Sequence, residues 1–218
     1  GRIAVRASGA HAAAIAYDTG AGAGSYRDPA GTPGESGGGG TAYIVDPGAQ
    51  GFRLVIGGPS PLPARGRRAK TTLAQPLSLA GLRVEDASLI NGEHPINLPS
   101  PPELAGGWQI EAGELSFPAP SGFHFIVNGT ARLILKTLAV ATPEMDLTVD
   151  GVMALEDPLR VRDLGGRGLM ILSTVTVSGS ISLGAGARLE TSSMTVAGDF
   201  SGASGAALAL TRGVSGPV

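Results

Sequence analysis

Carboxylates are the side chains in this sequence with the most chemistry to offer. Glu85, Asp86, Glu93, Glu103, Glu111, Glu114, Glu144, Asp146, Asp150, Glu156, Asp157 and Asp163 are spread through its middle and later parts. They are densest at Asp146, Asp150, Glu156 and Asp157. Two carboxylates on one outer face could serve as acid and base on a glycosidic bond, or could hold Ca²⁺ on a polysaccharide. These four are the candidate catalytic residues of an enzymatic reading. Asp150 also has a purely local explanation, because it stands in a turn slot that Asn128 and Ser178 fill in related phrases.

Other chemistry-bearing residues are more easily explained by structure. Gly34-Glu35-Ser36-Gly37-Gly38 resembles the nucleophile loop of trypsin-like proteases. His11 is too close in sequence to come from a separate barrel, and no strand-to-helix elbow surrounds Ser36. Gly20 to Gly24 lacks the Lys-Ser/Thr ending and following helix of a phosphate loop. His11, His94 and His124 have no ligand spacing and Cys is absent, so no metal or cofactor is expected. His124, between Phe123 and Phe125, should point outward from a strand. Arg65, Arg67, Arg68 and Lys70 read as a solvated connection. Asn128-Gly129-Thr130 fits a glycosylation sequon, but Asn also suits a turn there.

The elements that would position these residues are short strands. A phrase of apolar residue, turn residue and Gly recurs from Phe123 to Phe200. It reads Phe125-Ile126-Val127-Asn128-Gly129, Leu147-Thr148-Val149-Asp150-Gly151, Val175-Thr176-Val177-Ser178-Gly179 and Met194-Thr195-Val196-Ala197-Gly198. Its glycines are separated by 22, 28 and 19 residues. Each phrase alternates with period two and stops at a turn. Repeats of this size predict coils stacked strand on strand, an all-β, right-handed parallel β-helix with little helix.

Composition agrees. Gly (35) and Pro (16) are abundant, yet 42% of residues are apolar and only 16% charged, enough for a core. With 4% aromatic residues that core should be narrow and aliphatic. A net charge of −2 gathers neither nucleic acid nor anionic lipid. No apolar run is long enough to span a bilayer. The chain opens on Gly1 without a leader pattern, so an expressed fragment or part of a longer protein is expected.

In chain order, Arg2–Arg6 reads as a first strand and Ala12 to Tyr17 as a weak second. Gly20 to Gly40 is a glycine-rich loop. Strands follow at Thr41–Val45 and Phe52–Ile56. Residues 59–76, rich in Pro and Arg, mark a possible boundary between glycine-rich coils (1–58) and regular coils (77–218) of one β-helix segment. Strands resume at Leu77, Leu82 and Ser88; Pro95 to Pro102 is an excursion, so that 91–107 should bulge from a corner. Leu169-Met170-Ile171-Leu172 reads as a strand buried on both faces. The last strand is Ala206 to Thr211. Uncapped strand edges at the ends call for a neighbour.

The Arg2-Ile3-Ala4-Val5 start, with Gly37-Gly38-Gly39-Gly40-Thr41-Ala42-Tyr43-Ile44, resembles very large secreted bacterial surface proteins with glycine-rich parallel β-helix regions. The resemblance implies an extracellular or cell-surface, structural or adhesin-like role, with a glycan or neighbouring surface protein as partner. The leading expectation is a non-catalytic structural or adhesive segment of a bacterial surface or filament protein. One alternative is a carbohydrate-active β-helix enzyme, a lyase or hydrolase. Another is a fibre subunit that self-associates end to end.

Overall fold

The computed structural model describes residues 2–6, 41–45, 52–57, 69–141 and 145–211. Among them there is no helix; strands account for every regular element. The chain enters through β1 (Arg2–Arg6), β2 (Thr41–Val45) and β3 (Phe52–Gly57). It then winds in coils, each laying a short strand and then one or two strands of a wider face. The early coils are β3 with β4 (Ala69–Thr72) and β5 (Leu77–Ser78), and β6 (Gly81–Glu85) with β7 (Ala87–Ile90) and β8 (Pro95–Asn97). The middle ones are β9 (Glu103–Ala105) with β10 (Gln109–Phe117), and β11 (His124–Val127) with β12 (Arg132–Val140). Next comes β13 (Asp146–Val149) with β14 (Val152–Leu155) and β15 (Leu159–Val161). The last are β16 (Leu164–Gly166) with β17 (Leu169–Val177), β18 (Ile181–Leu183) with β19 (Arg188–Val196), and β20 (Phe200–Gly202) with β21 (Ala207–Leu210).

Strand pairing makes this a β-solenoid of about seven turns. One eleven-stranded sheet runs β4, β7, β10, β12, β14, β17, β19, β21, with β5, β8 and β15 pairing alongside. The short strands form two five-stranded sheets, β1-β2-β3-β6-β9 and β11-β13-β16-β18-β20. Every pair but one is parallel; β2 and β3 run antiparallel, so the N-terminal end begins with a chain reversal. The register establishes the winding and leaves its hand unassigned. Coil length varies: Leu159 lies beside Val175, sixteen residues on, and Gln109 beside Arg132, twenty-three on.

Parallel register sets like on like, because each residue meets its equivalent one coil later, about 4.8 Å along the axis. Leu89, Ile110, Leu133, Met153, Met170 and Leu189 form one such column, each fully buried. Each is worth about 1.5–3 kcal/mol of burial. The residues between them face outward, the alternation that strands with one wet face require. The core is mostly aliphatic, but its aromatic side chains gather at one level. Trp108, Phe117, Phe123 and Phe125 pack together there, with ring centroids 5.9–6.5 Å apart and Trp108 edge-on to Phe125.

The structure corrects several sequence expectations. The four recurring phrases do not form one column. Phe125–Val127 and Leu147–Val149 are neighbours in β11 and β13, while Val175–Val177 and Met194–Val196 are neighbours on the wider face, in β17 and β19. The step of 28 between the two pairs crosses from one face to the other. Beneath Leu147-Thr148 lie Leu164-Gly165, a coil hidden because glycine replaces the expected β-former. Residues 91–107 are not a bulge: they hold β8 and β9, and Pro95 sits beside Glu114 in the ladder. Leu169–Leu172 is not buried on both faces, since Ile171 is 43% exposed while Met170 and Leu172 are buried. Strand β3 pairs with β6 from either side of residues 59–76, and β4, within that stretch, pairs with β7. The Ala12 to Tyr17 strand, the Gly20 to Gly40 loop, His11, Ser36, Arg65, Arg67, Arg68 and Glu144 lie outside the described residues.

Candidate functional site: a lateral groove

The four carboxylates singled out by density are not gathered into one constellation. Asp146 opens β13 and accepts two hydrogen bonds from Arg162, Nε to Oδ1 at 2.8 Å and Nη2 to Oδ2. Asp163 approaches the same guanidinium at 3.3 Å. The hydrogen bond to Asp146, and then its charge, raise the Arg162 pKa above the ordinary arginine value. Asp150 sits at the corner after β13, where its Oδ1 accepts from the Arg167 backbone N–H at 3.0 Å, one coil on. It is turn chemistry, as its slot predicts. Asp157 accepts from the Thr137 hydroxyl, one coil back.

These contacts belong to a wider pattern of corner residues that tie successive coils. Asp86 takes a left-handed conformation (φ 48°) and accepts from Gly107 N–H at 2.7 Å. The approach is close enough that a Cβ on Gly106 would lie 2.2 Å from Asp86 Oδ1. Asn128 donates from Nδ2 to the Gly106 carbonyl at 2.7 Å, and Asp163 Oδ1 accepts from Ser180 N–H at 2.7 Å. The bonds to Asp carboxylates are charge-assisted, the stronger kind, and each of these contacts, the neutral Asn128 bond included, joins residues 16–22 positions apart. His124 points outward, its Nε2 2.8 Å from Thr148 Oγ1.

Of the four, Glu156 lines a hollow. On the outer surface of the eleven-stranded sheet a groove of about 300 Å³ is lined by Glu93, Glu111, Lys136 and Glu156 over a floor of Ile134, Ala154 and Ile171. The winding assembles it. Gly113 N–H donates to the His94 carbonyl at 3.1 Å, the register sets Gly113 between the pairs Ala112–Leu135 and Glu114–Thr137, and Asp157 N–H donates to the Lys136 carbonyl at 2.8 Å. Glu93, Gly113, Lys136 and Glu156 therefore stand at one corner on successive coils. Gly113 is required there, since a Cβ would meet the Glu93 carbonyl oxygen at 2.1 Å. It also leaves the gap that opens the groove.

Among the described residues, the side chains of Glu93, Glu111, Lys136 and Glu156 form no hydrogen bond or ion pair with protein groups. Their charges are free to meet a ligand, and the aliphatic floor would take its apolar face. Density along the sequence missed Glu93 and Glu111. The signal that finds Glu93 is the coil step: 93, 113, 136 and 156 are 20, 23 and 20 apart, while Glu111 stands in the adjacent column with Ile134, Ala154 and Ile171. A second hollow of about 360 Å³, lined by Leu98, Phe117, Pro118 and Val140 among others, is largely apolar. Among the described residues no group of three or more His, Asp or Glu could hold a metal ion, and no helix is long and apolar enough to cross a membrane.

Fold and groove define a parallel β-solenoid with a carboxylate-lined lateral face. Comparison with known proteins adds no relative: no family model, no curated protein and no solved structure matches the chain.

Proposed function

We propose that the chain is a non-catalytic structural or adhesive β-solenoid segment of a bacterial surface or filament protein, acting outside the cell. The observation that carries this reading is the use made of its charged and polar corner residues. Asp86, Asn128, Asp146, Asp150, Asp157 and Asp163 each tie one coil to another. A stack stapled in this way suits a stiff spacer that presents contact surfaces on its flanks. The resemblance of its glycine-rich start to secreted surface proteins supports the location. Glycan or a neighbouring surface protein is the proposed partner, with the groove as the contact.

One observation favours a second reading, a polysaccharide hydrolase or lyase. Glu111 and Glu156 both line the groove and lie two coils apart, about 9.6 Å along the stack. That is the order of separation at which two carboxylates can flank a glycosidic bond and a water. Incubation with acidic and neutral polysaccharides separates the two readings. The structural reading expects no new reducing or unsaturated ends. Cleavage that disappears in Glu111→Gln and Glu156→Gln would replace it with the enzymatic one.

A further inference from the structure

We propose that the lateral groove and the aliphatic face beside it dock a segment of a partner protein that presents aliphatic side chains flanked by Lys or Arg. This rests on the reading of the chain as a structural or adhesive segment whose groove makes the contact, and it chooses protein over glycan as the partner.

Register builds the face. Ile134, Ala154 and Ile171 stand one above another in β12, β14 and β17, and Val152 and Leu169 are neighbours beside them in β14 and β17. Leu133, Met153 and Met170, which alternate with these residues, are buried, so all five side chains project from the outer surface. A wet sheet face ordinarily carries polar residues at such positions, as the short strands do with Thr148, Ser182 and Ser201. Five outward aliphatic side chains on three successive coils make a contiguous patch, and an apolar patch rimmed by polar groups marks a contact surface. Strands β12, β14 and β17 are each paired on both sides. A partner therefore cannot add to this sheet as a strand and must be held by side chains.

Charge selects the partner. Glu111 closes the Ile134 column at one end, and Glu190, bonded to Arg188, closes it at the other. Glu93, Lys136 and Glu156 stand at the corner of the groove. Three carboxylates that bond to no protein group among the described residues thus face one amine, and this excess complements a basic rim on the partner. Arg132 lies in the Val152 column, outside the groove lining. The floor disfavours a sugar. Among the described residues no aromatic ring lines the groove, and a pyranose is ordinarily held by stacking on one. An aliphatic centre with a charged rim is instead the anatomy of a protein–protein contact.

The test is a labelled, capped peptide with leucine on one helical face and lysine on the other, titrated with the purified chain and read by fluorescence anisotropy. A second peptide carries glutamate in place of lysine. The expected result is saturable binding of the lysine peptide, at least about tenfold tighter than the glutamate peptide and weakening as salt is raised. Ile171→Lys and Glu156→Lys, both at exposed positions, should each weaken it at least about tenfold with circular dichroism unchanged. Ser182→Lys, which adds the same charge as Ile171→Lys on another sheet, should not. No binding of the lysine peptide, equal binding of the two peptides, or equal losses in Ile171→Lys and Ser182→Lys would overturn the proposal. Glucose or glucosamine oligomers that bind in the peptide's place and are lost in Ile171→Lys would overturn it too, while leaving the adhesive reading standing. Cleavage of those oligomers would remove both.

Discussion

Two groups of acidic residues on this solenoid behave in opposite ways. At the corners of the later coils Asp146, Asp150, Asp157 and Asp163 bond to groups one coil away, and their charge holds the stack together. In the lateral groove Glu93, Glu111 and Glu156 share the same surface without such bonds, across a gap left by Gly113. The short side chains of Asp86, Asn128, Asp150 and Asp163 reach backbone groups of a neighbouring coil, and those of Asp146 and Asp157 reach its side chains, whereas the longer Glu side chains of the groove make no such bond. Density of carboxylates along the chain therefore marks the staples, and their partnering marks the surface left for a ligand.

That contrast can be broken most severely at the glycine between Glu93 and Lys136. Gly113→Ala would drive a methyl group into the Glu93 carbonyl, forcing two coils apart. Overpacking of this kind should cost about 2–3 kcal/mol in chemical denaturation. An unchanged midpoint would show that the corner has room the structure denies it.

The staples themselves should come next. Arg162→Ala removes the partner of Asp146 and Asp163, a half-exposed network, so a loss of stability smaller than that of Gly113→Ala is expected, shrinking in high salt. Its pH dependence has a definite sign. The folded-state pKa of Arg162 is raised, so its contribution is complete below the ordinary arginine pKa and fades only as pH climbs through the higher folded value. The titration of Arg162 itself should therefore leave the difference between Arg162→Ala and the parent unaltered from neutral to mildly alkaline pH. A loss of that difference at mildly alkaline pH would contradict the assigned pairing.

The smallest effect should come from the groove. Glu111→Gln and Glu156→Gln break no protein contact, and their stabilities should stay within about 0.5 kcal/mol of the parent. A larger loss would mean that these carboxylates are staples too, and the distinction between the two regions would fail.

Much of this architecture was legible in the sequence. Alternation in Ile181-Ser182-Leu183 reveals a strand with one buried side, and Asp150 declares itself a turn residue by its slot. What escaped has identifiable causes. Leu164-Gly165-Gly166 is a strand made largely of glycine, so propensity hides it while the ladder enforces it. Pro95 reads as an interruption, yet proline is tolerated as the first residue of a strand. Ile171 belongs to an unbroken apolar run, but its face is fixed by register rather than by hydrophobicity. The groove was the least visible feature, because Glu93 and Glu156 meet through three coil steps of unequal length.

The aromatic level in mid-stack gives this molecule an internal reporter. Trp108 is the sole tryptophan, almost fully buried and edge-on to Phe125. Its emission will register separation of the coils around it and stay silent while either extremity frays. In a one-dimensional stack, where each turn leans only on its neighbours, fluorescence and far-ultraviolet dichroism should then melt at different midpoints, and the gap between the two curves measures how unevenly strength is distributed along the axis.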